Sequence, residues 1–512
     1  MPVNSRTAKS LRNAWVALLF YFLNLLLQFF SRKIFLDYLG SEVLGLNTTA
    51  QNLLGFLNLA ELGIGSAVAY NLYKPLFEGN RQTINEIVSI QGWLYRRVAY
   101  MVLAGACVLM FFFPWIFAKA QVPLGYAYGS FAVLLVSSLL GYFVNYRQIV
   151  LAADQQQYRL TYSTQSVRII KVILQILAVR FLSHGYVWWL VLELLMAVLS
   201  SYVLDRCVRK VYPWLQTAIC KGADLQKHYP SIITKTKQIF FHQIATYVLT
   251  QTSPLIIYAY ASLTLVAVYG NYLLIINGIT QLMGALLNGI WSGVGNLVAE
   301  GNKERIRSVF WELTVFRLWL ASVACFGLYM LGHSFITLWV GAEYVLPQSA
   351  YILLIGITFI QLSRTNEVFI SAYGIFQDIG APVVETLLNL GLSVGLGYFY
   401  GLTGILSGVL ISLLVMVVGW KPYFLYRYGF KESVGEYVWR YTKMLCLIAI
   451  AWLLCKWLVG AYVTTVSLSF GKWTFSVLIT VGSYILISLG MFCCCDKAAR
   501  DIIKRMLVVI WR

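Results

Sequence analysis

Charge is what this sequence has least of. Only 12% of its 512 residues are charged, while 60% are apolar; a soluble globular domain carries roughly 25% charged residues. So little charge excludes a cytosolic enzyme, a disordered tail and a fibre. Acidic residues are the scarcer sign, 20 Asp and Glu against 39 Lys and Arg, for a formal net charge of +19. The four histidines, at 184, 228, 242 and 333, are scattered, and no His-Glu-x-x-His pair is present to hold a catalytic metal. The nine cysteines fall mostly inside apolar runs, which is no disulfide framework. The Cys493-Cys494-Cys495 run has no histidine partner and reads as a membrane-edge cluster rather than a zinc site. No Gly-x-x-x-x-Gly-Lys-Ser/Thr loop and no Gly-x-Ser-x-Gly elbow occur. Gly63-Ile64-Gly65 lacks the third glycine of a dinucleotide motif and reads as close helix packing. No catalytic residues, metal ligands or cofactor-binding residues are therefore assigned.

Apolar length is what the sequence has in quantity. A spanning helix needs ~20 apolar residues. Apolar runs between charged or Gly/Pro breaks predict about fourteen such helices, near 14–36, 44–72, 93–117, 124–147, 161–182, 185–205, 235–260, 266–298, 309–332, 349–373, 378–400, 402–421, 437–460 and 474–495. The fold class expected is an all-α polytopic membrane protein. The run beginning at Ala14 is too long for a signal-peptide core and reads as a retained first span.

The basic residues sort by side. Arg6, Lys9 and Arg12, then Lys74, Arg81, Arg96 and Arg97, then Arg147, Arg159, Arg168 and Lys171, then the loop from Arg206 to Lys237, then Lys303, Arg305 and Arg307, then Lys421, Arg427, Lys431, Arg440 and Lys443, and finally the tail from Lys497 fall on one side of the predicted topology. The other side receives Arg32, Lys33, Lys119, Arg180 and Lys472. Cytoplasmic loops collect Lys and Arg, so both termini are expected to be cytoplasmic. The basic surplus then needs no nucleic-acid partner.

An internal repeat divides the chain. Glu78-Gly79-Asn80-Arg81 and Ile84 recur as Glu300-Gly301-Asn302-Lys303 and Ile306, and Gly45-Leu46-Asn47 has a counterpart in Tyr269-Gly270-Asn271. A six-helix unit repeated in one orientation is a recognised transporter plan. The boundaries expected are a six-helix lobe at 1–205, a basic cytoplasmic linker at 206–234, a second six-helix lobe at 235–421, and two further helices with a basic tail at 422–512.

Ionisable groups inside spans are costly and mark pathways or pairs. Arg32 reads either as an interface anchor or as a cavity cation. Arg168 and Lys171, three apart and so on one helix face, read as cytoplasmic anchors or as part of an anion site. His242, Arg317 and Arg364 complete the cationic candidates, Arg364 with a neutralising Glu367 three residues on. Glu61 reads as a structural partner of a basic residue or as a coupling carboxylate, while Glu193 and Glu385 read as structural. Cations outnumber acids among these residues, which favours an anionic substrate, and arginine forks match phosphate oxygens.

Several stretches are similar to Wzx-type polysaccharide flippases of the MOP superfamily. They are Tyr38-Leu39-Gly40-Ser41-Glu42-Val43-Leu44-Gly45-Leu46-Asn47, Leu59-Ala60-Glu61-Leu62-Gly63-Ile64-Gly65-Ser66-Ala67 and Leu72-Tyr73-Lys74-Pro75-Leu76, followed later by Tyr269-Gly270-Asn271-Tyr272 and Leu338-Trp339-Val340-Gly341-Ala342-Glu343-Tyr344. The resemblance implies two six-helix lobes in a V with two C-terminal helices. It also implies alternating access, and flipping of undecaprenyl-diphosphate-linked oligosaccharide repeat units across a bacterial inner membrane for surface polysaccharides such as O-antigen and capsule. Polysaccharide polymerase and chain-length proteins are the partners it suggests, and coupling to H+ or Na+ is left open. Arg32 and Glu61 lie in the matching stretch. Ser253-Pro254 departs from the family, whose members often carry a polar or acidic residue there. Competing readings are a MATE-type cation or drug exporter, a lipid II flippase and a membrane polysaccharide polymerase.

Overall fold

Glycine decides where the longest apolar stretches of this chain turn. In a computed structural model the helical run Val3–Leu57 is broken at Gly40 (φ 83°, ψ 170°), and Gly380–Leu413 is broken at Gly401 (φ 56°, ψ −136°). Both conformations are ones that only glycine adopts without strain. The structure describes the backbone of residues 3–501 apart from 62, 155, 235, 238–239, 241–251, 374, 376–379 and 465–468; side chains 3–15, 18, 60, 285–293, 295–296, 299 and 461–464 are also outside the description.

Among the described residues there is no strand, and ten helices are long and apolar enough, by length and composition, to cross a membrane. Two of the ten, Leu19–Leu57 and Gly380–Phe430, contain the turns at Gly40 and Gly401 and so take in parts of two expected spans each. The chain is an all-α polytopic membrane protein. Among the described residues the helices of fifteen residues or more are α1 (Val3–Leu57), α2 (Ile64–Glu78), α3 (Arg81–Phe111), α4 (Leu124–Phe143), α5 (Gln157–Phe181), α6 (Gly185–Val211), α7 (Leu263–Glu300), α8 (Lys303–Trp339), α9 (Gln348–Leu362), α10 (Gly380–Leu413), α11 (Gly435–Thr464) and α12 (Phe470–Cys495).

The chain divides into two compact units, Met1–Ala267 and Val268–Arg512. In the first, α5 packs against α1 and α6. Asn24 donates to Gln165 at 3.1 Å, and the Phe20 and Tyr162 rings meet edge to face. Val191, Leu195, Val198 and Tyr202 recur at helical spacing on α6 and are exposed, as an outer face toward lipid requires. Gly45 touches the Leu263 backbone so closely that a side chain would collide with the Leu263 carbonyl.

The segment after α6 folds back onto the start of α3. Asn85 accepts from the Gln216 N–H at 3.1 Å, Ser89 Oγ from the Ala218 N–H at 2.9 Å, and Glu86 from the Tyr229 hydroxyl at 2.6 Å. Beside it, Tyr212 donates to Asp154 Oδ2 at 2.8 Å. Burial, and then the Asp154 charge, push the Tyr212 hydroxyl well above its ordinary range, so it stays a donor.

The second unit holds its core around Phe310, which meets Phe369, Phe430 and Tyr437, and around Phe326, stacked on Tyr484 with centroids 4.3 Å apart. Cys455 and Ala451 of α11 and Tyr484 of α12 close this second cluster against α8. After the turn at Gly401 the two halves of α10 run backbone to backbone: Gly404 lies on the Leu396 carbonyl and Gly408 on Ser393. Small residues permit that approach.

The sequence repeat has a geometric counterpart. Gly79 and Gly301 both adopt positive φ (71° and 76°), and the asparagine after each caps the next helix. Asn80 accepts from the Thr83 N–H at 3.1 Å and Asn302 from the Arg305 N–H at 3.0 Å. Gly-Asn thus ends one helix and starts the next at equivalent points of both units.

Candidate functional site

The second unit gathers five ionisable side chains from four segments. Arg317 comes from α8. Arg364 and Glu367 come from the break between α9 and the short helix Asn366–Ala372, and Glu385 comes from the first turns of α10. Lys421 lies between two wide π-helical stretches, Leu414–Trp420 and Leu425–Phe430. π-Helical turns recur at functional positions because they redirect side chains that a regular helix would place elsewhere.

The pairing is unequal. Lys421 Nζ forms an ion pair with Glu367 and lies 3.7 Å from Glu385 Oε2. Arg364 Nη1 is 3.4 Å from Glu367 Oε1. Arg317 is near enough to feel the charges of Glu367 and Arg364 but forms no ion pair among the described residues. Three cations share two carboxylates, leaving one positive charge in excess. The Nε atoms of Arg317 and Arg364 are buried without a hydrogen-bond partner among the described residues, as is Glu385 Oε1. Buried guanidinium donors left open beside an uncompensated charge are a favourable place for an anion.

The remaining sequence candidates sit apart from this cluster. Arg32 is partly buried on α1, and its Nη2 donates to the Ala267 carbonyl at 2.9 Å. Its neighbour Lys33 pairs with Asp37 at 3.5 Å on an exposed face. Lys171 is held by Glu193, Nζ to Oε1 2.7 Å, and Gln175 donates to the other oxygen of Glu193 at 2.9 Å. Arg168, one turn earlier, is exposed. His242 lies outside the described residues.

Glu61 ends the 3-10 turn Asn58–Glu61 and accepts a hydrogen bond from the Tyr95 hydroxyl at 2.8 Å. The Tyr142 hydroxyl and Ser138 both donate to the neighbouring Asn58 Oδ1, at 3.0 and 3.2 Å. Among the described residues no basic side chain pairs with Glu61. The Tyr95 hydroxyl, rather than a cation, is thus the partner that the described residues give Glu61.

Sequence reading passed over two participants. By sequence Lys421 sorts with the cytoplasmic basic residues, because it follows a long apolar run and precedes a proline. Yet the apolar sequence resumes at Tyr423-Phe424-Leu425, which marks it as embedded. Glu42, inside the motif stretch, accepts from Thr264 Oγ1 at 2.9 Å, and its other oxygen is buried without a partner among the described residues.

No protein-family model and no curated protein sequence matches this chain. Among solved structures, it is similar to the lipid II flippase MurJ in an inward closed conformation, with a TM-score of 0.63 and 15% identity over 95% of this chain and 100% of that one. It is also similar to a multidrug-resistance MATE transporter of the MOP superfamily in an inward-facing conformation, with a TM-score of 0.54 and 16% identity over 79% of this chain and 96% of that one. At such identities the likeness is one of fold: the chain shares with these two proteins a polytopic all-helical architecture along nearly their whole length.

Proposed function

We propose that this protein is a flippase that moves undecaprenyl-diphosphate-linked oligosaccharide repeat units across the bacterial inner membrane by alternating access. In this reading it serves surface polysaccharide synthesis and both termini are cytoplasmic. The observation that carries the reading is the excess cation of the Arg317–Arg364–Lys421 cluster over Glu367 and Glu385. A diphosphate carries the charge and acceptor geometry that two open guanidinium groups recognise. The substrate biases an equilibrium between states to the extent that it binds one better than the other. In this scheme Arg317 and Arg364 meet the diphosphate, and Lys421 holds the carboxylates away from it. Arg32 is a candidate substrate contact of the first unit, taken by itself. Glu61, held by the Tyr95 hydroxyl rather than by a cation, is the coupling carboxylate for H+ or Na+. No covalent chemistry is required. The Wzx-like sequence stretches and the fold shared with a lipid II flippase and a MATE transporter support the reading.

The test is a leaflet assay in proteoliposomes. Undecaprenyl-diphosphate-linked oligosaccharide is loaded, and the fraction reached by an impermeant glycosidase is measured with and without protein. The expected result is protein-dependent exposure that Arg317→Ala lowers roughly tenfold or more. Exposure of lipid II alone would assign the protein to that branch. Uptake of a cationic dye with no glycan exposure would assign it to cation export.

A further inference from the structure

Beside the start of α8 the second unit forms an open cavity of about 310 Å³, at the lower edge of the ~300–1,000 Å³ range of small-molecule sites. Lys303 and Arg307 line it from the first turns of α8. Lys431 and Glu432 line it from the turn before α11, and the Tyr373 and Tyr428 rings complete the wall. Three cations and one carboxylate line it, and Glu436 beside them adds a second carboxylate. Arg307 is fixed, with Nη2 2.9 Å from Glu432 and 2.5 Å from Glu436. Lys303 and Lys431 are exposed and form no ion pair among the described residues, so two of the three charges are uncommitted.

The sequence repeat supplies an internal comparison. In the first unit the equivalent start of α3 is filled by the chain itself: Arg81 stacks on Trp214 with its guanidinium carbon 5.4 Å from the ring centre, and Asn85 and Glu86 hold residues 216 and 229. In the second unit, Lys303 and Arg307 stand where Arg81 and Asn85 stand in the first, and the returning segment leaves a basic cavity instead of a plug.

We propose that this cavity binds a phosphate group, carried by an acidic lipid headgroup or free in solution, as a site separate from the Arg317 cluster. The two lysines supply mobile point charges for phosphate oxygens, and Arg307, held by Glu432 and Glu436, adds a fixed positive charge beside them. The volume accepts a phosphate together with a glycerol-sized substituent.

The experiment titrates the purified full-length protein in neutral detergent with inorganic phosphate, pyrophosphate, short-chain phosphatidylglycerol and short-chain phosphatidylcholine, reading the thermal midpoint and native mass spectra. Wild type is compared with Lys303→Gln/Lys431→Gln and with Lys227→Gln, a control in the first unit. Binding of an anionic species should weaken roughly tenfold in the double variant and be unchanged in the control. A response to phosphatidylglycerol alone identifies a lipid headgroup as the source, and a response to the inorganic ions identifies a soluble one. No response to any anion, or equal responses in wild type and double variant, overturns the proposal. Both lysines are exposed, so the variant should elute as a single species with the wild-type midpoint before ligand is added. Lys431→Gln alone decides the matter should the pair fail to fold.

Discussion

Lys421 Nζ lies 3.7 Å from Glu385 Oε2, and Glu385 is the more deeply buried of the two, its side chain 5% exposed against 20% for lysine. Lys421 also pairs with Glu367, so one ammonium answers two carboxylates. Removing it leaves Glu367 with Arg364 alone and Glu385 with no ion-pair partner among the described residues. Breaking a buried pair from one side costs about 3–5 kcal/mol. Lys421→Met is therefore expected to lower stability by about 3 kcal/mol, seen as a large fall in the midpoint of detergent-solubilised protein. A midpoint within a degree of wild type would remove Lys421 from any supporting role.

Arg317 is expected to behave oppositely. It forms no ion pair among the described residues and its Nε has no partner, so Arg317→Ala relieves a buried charge rather than orphaning one. The fold should persist with a near-wild-type midpoint, while flipping falls by roughly tenfold or more, the scale of a lost charge-assisted hydrogen bond. Arg317→Lys should restore charge but not the fork, and recover only part of the activity. Full activity in Arg317→Ala would remove the anion-site argument.

How much of this was legible beforehand differs by residue. The all-helical fold was legible because hydropathy dictates it: in lipid every backbone group must be paired within its own segment. The turns at Gly79 and Gly301 were visible as a repeated Gly-Asn pair because glycine there ends a helix and asparagine begins one. Arg364 with Glu367 was visible because the partners are three residues apart. Lys171 with Glu193 was not, since the two are 22 residues apart on different helices. Lys421 was hidden for another reason: a charge after an apolar run looks like an anchor until two π-helical stretches carry it back into the protein.

The turn at Gly401 makes a prediction of its own. It returns α10 on itself so tightly that a side chain at Gly404 would overlap the Leu396 carbonyl, a backbone atom that cannot swing away. Overpacking of this kind costs about 1–3 kcal/mol. Gly404→Val should lower the thermal midpoint and the yield of folded protein, whereas Gly395→Ala, where an added methyl meets open space, should do neither. Equal behaviour of the two variants would mean that the halves of α10 are not in backbone contact.

In the first unit, Lys171 and Glu193 form a pair in which each side chain is about one-fifth exposed, at 21% and 19%. Glu193→Gln should cost about 1–3 kcal/mol, because Lys171 loses its charge partner while Gln175 keeps an acceptor. The double variant Lys171→Met/Glu193→Gln should recover most of that loss, as replacing both members of a buried pair does. A double variant as unstable as the sum of the singles would show that the two residues are not coupled.

Glu61 and Tyr95 give the sharpest test of coupling. The Tyr95 hydroxyl donates to Glu61 Oε1 at 2.8 Å, and Gln at position 61 presents the same acceptor oxygen. Glu61→Gln should therefore fold with less than about 1 kcal/mol lost, while the side chain can no longer gain or lose a proton or bind a cation. In the leaflet assay the variant should flip at a rate that no longer responds to an imposed proton or sodium gradient. Tyr95→Phe removes one donor to the carboxylate. The loss of that hydrogen bond should cost about 0.5–1.5 kcal/mol, read as a lower thermal midpoint. A gradient response of normal size in Glu61→Gln would place coupling elsewhere and leave Glu61 as a structural acceptor for Tyr95.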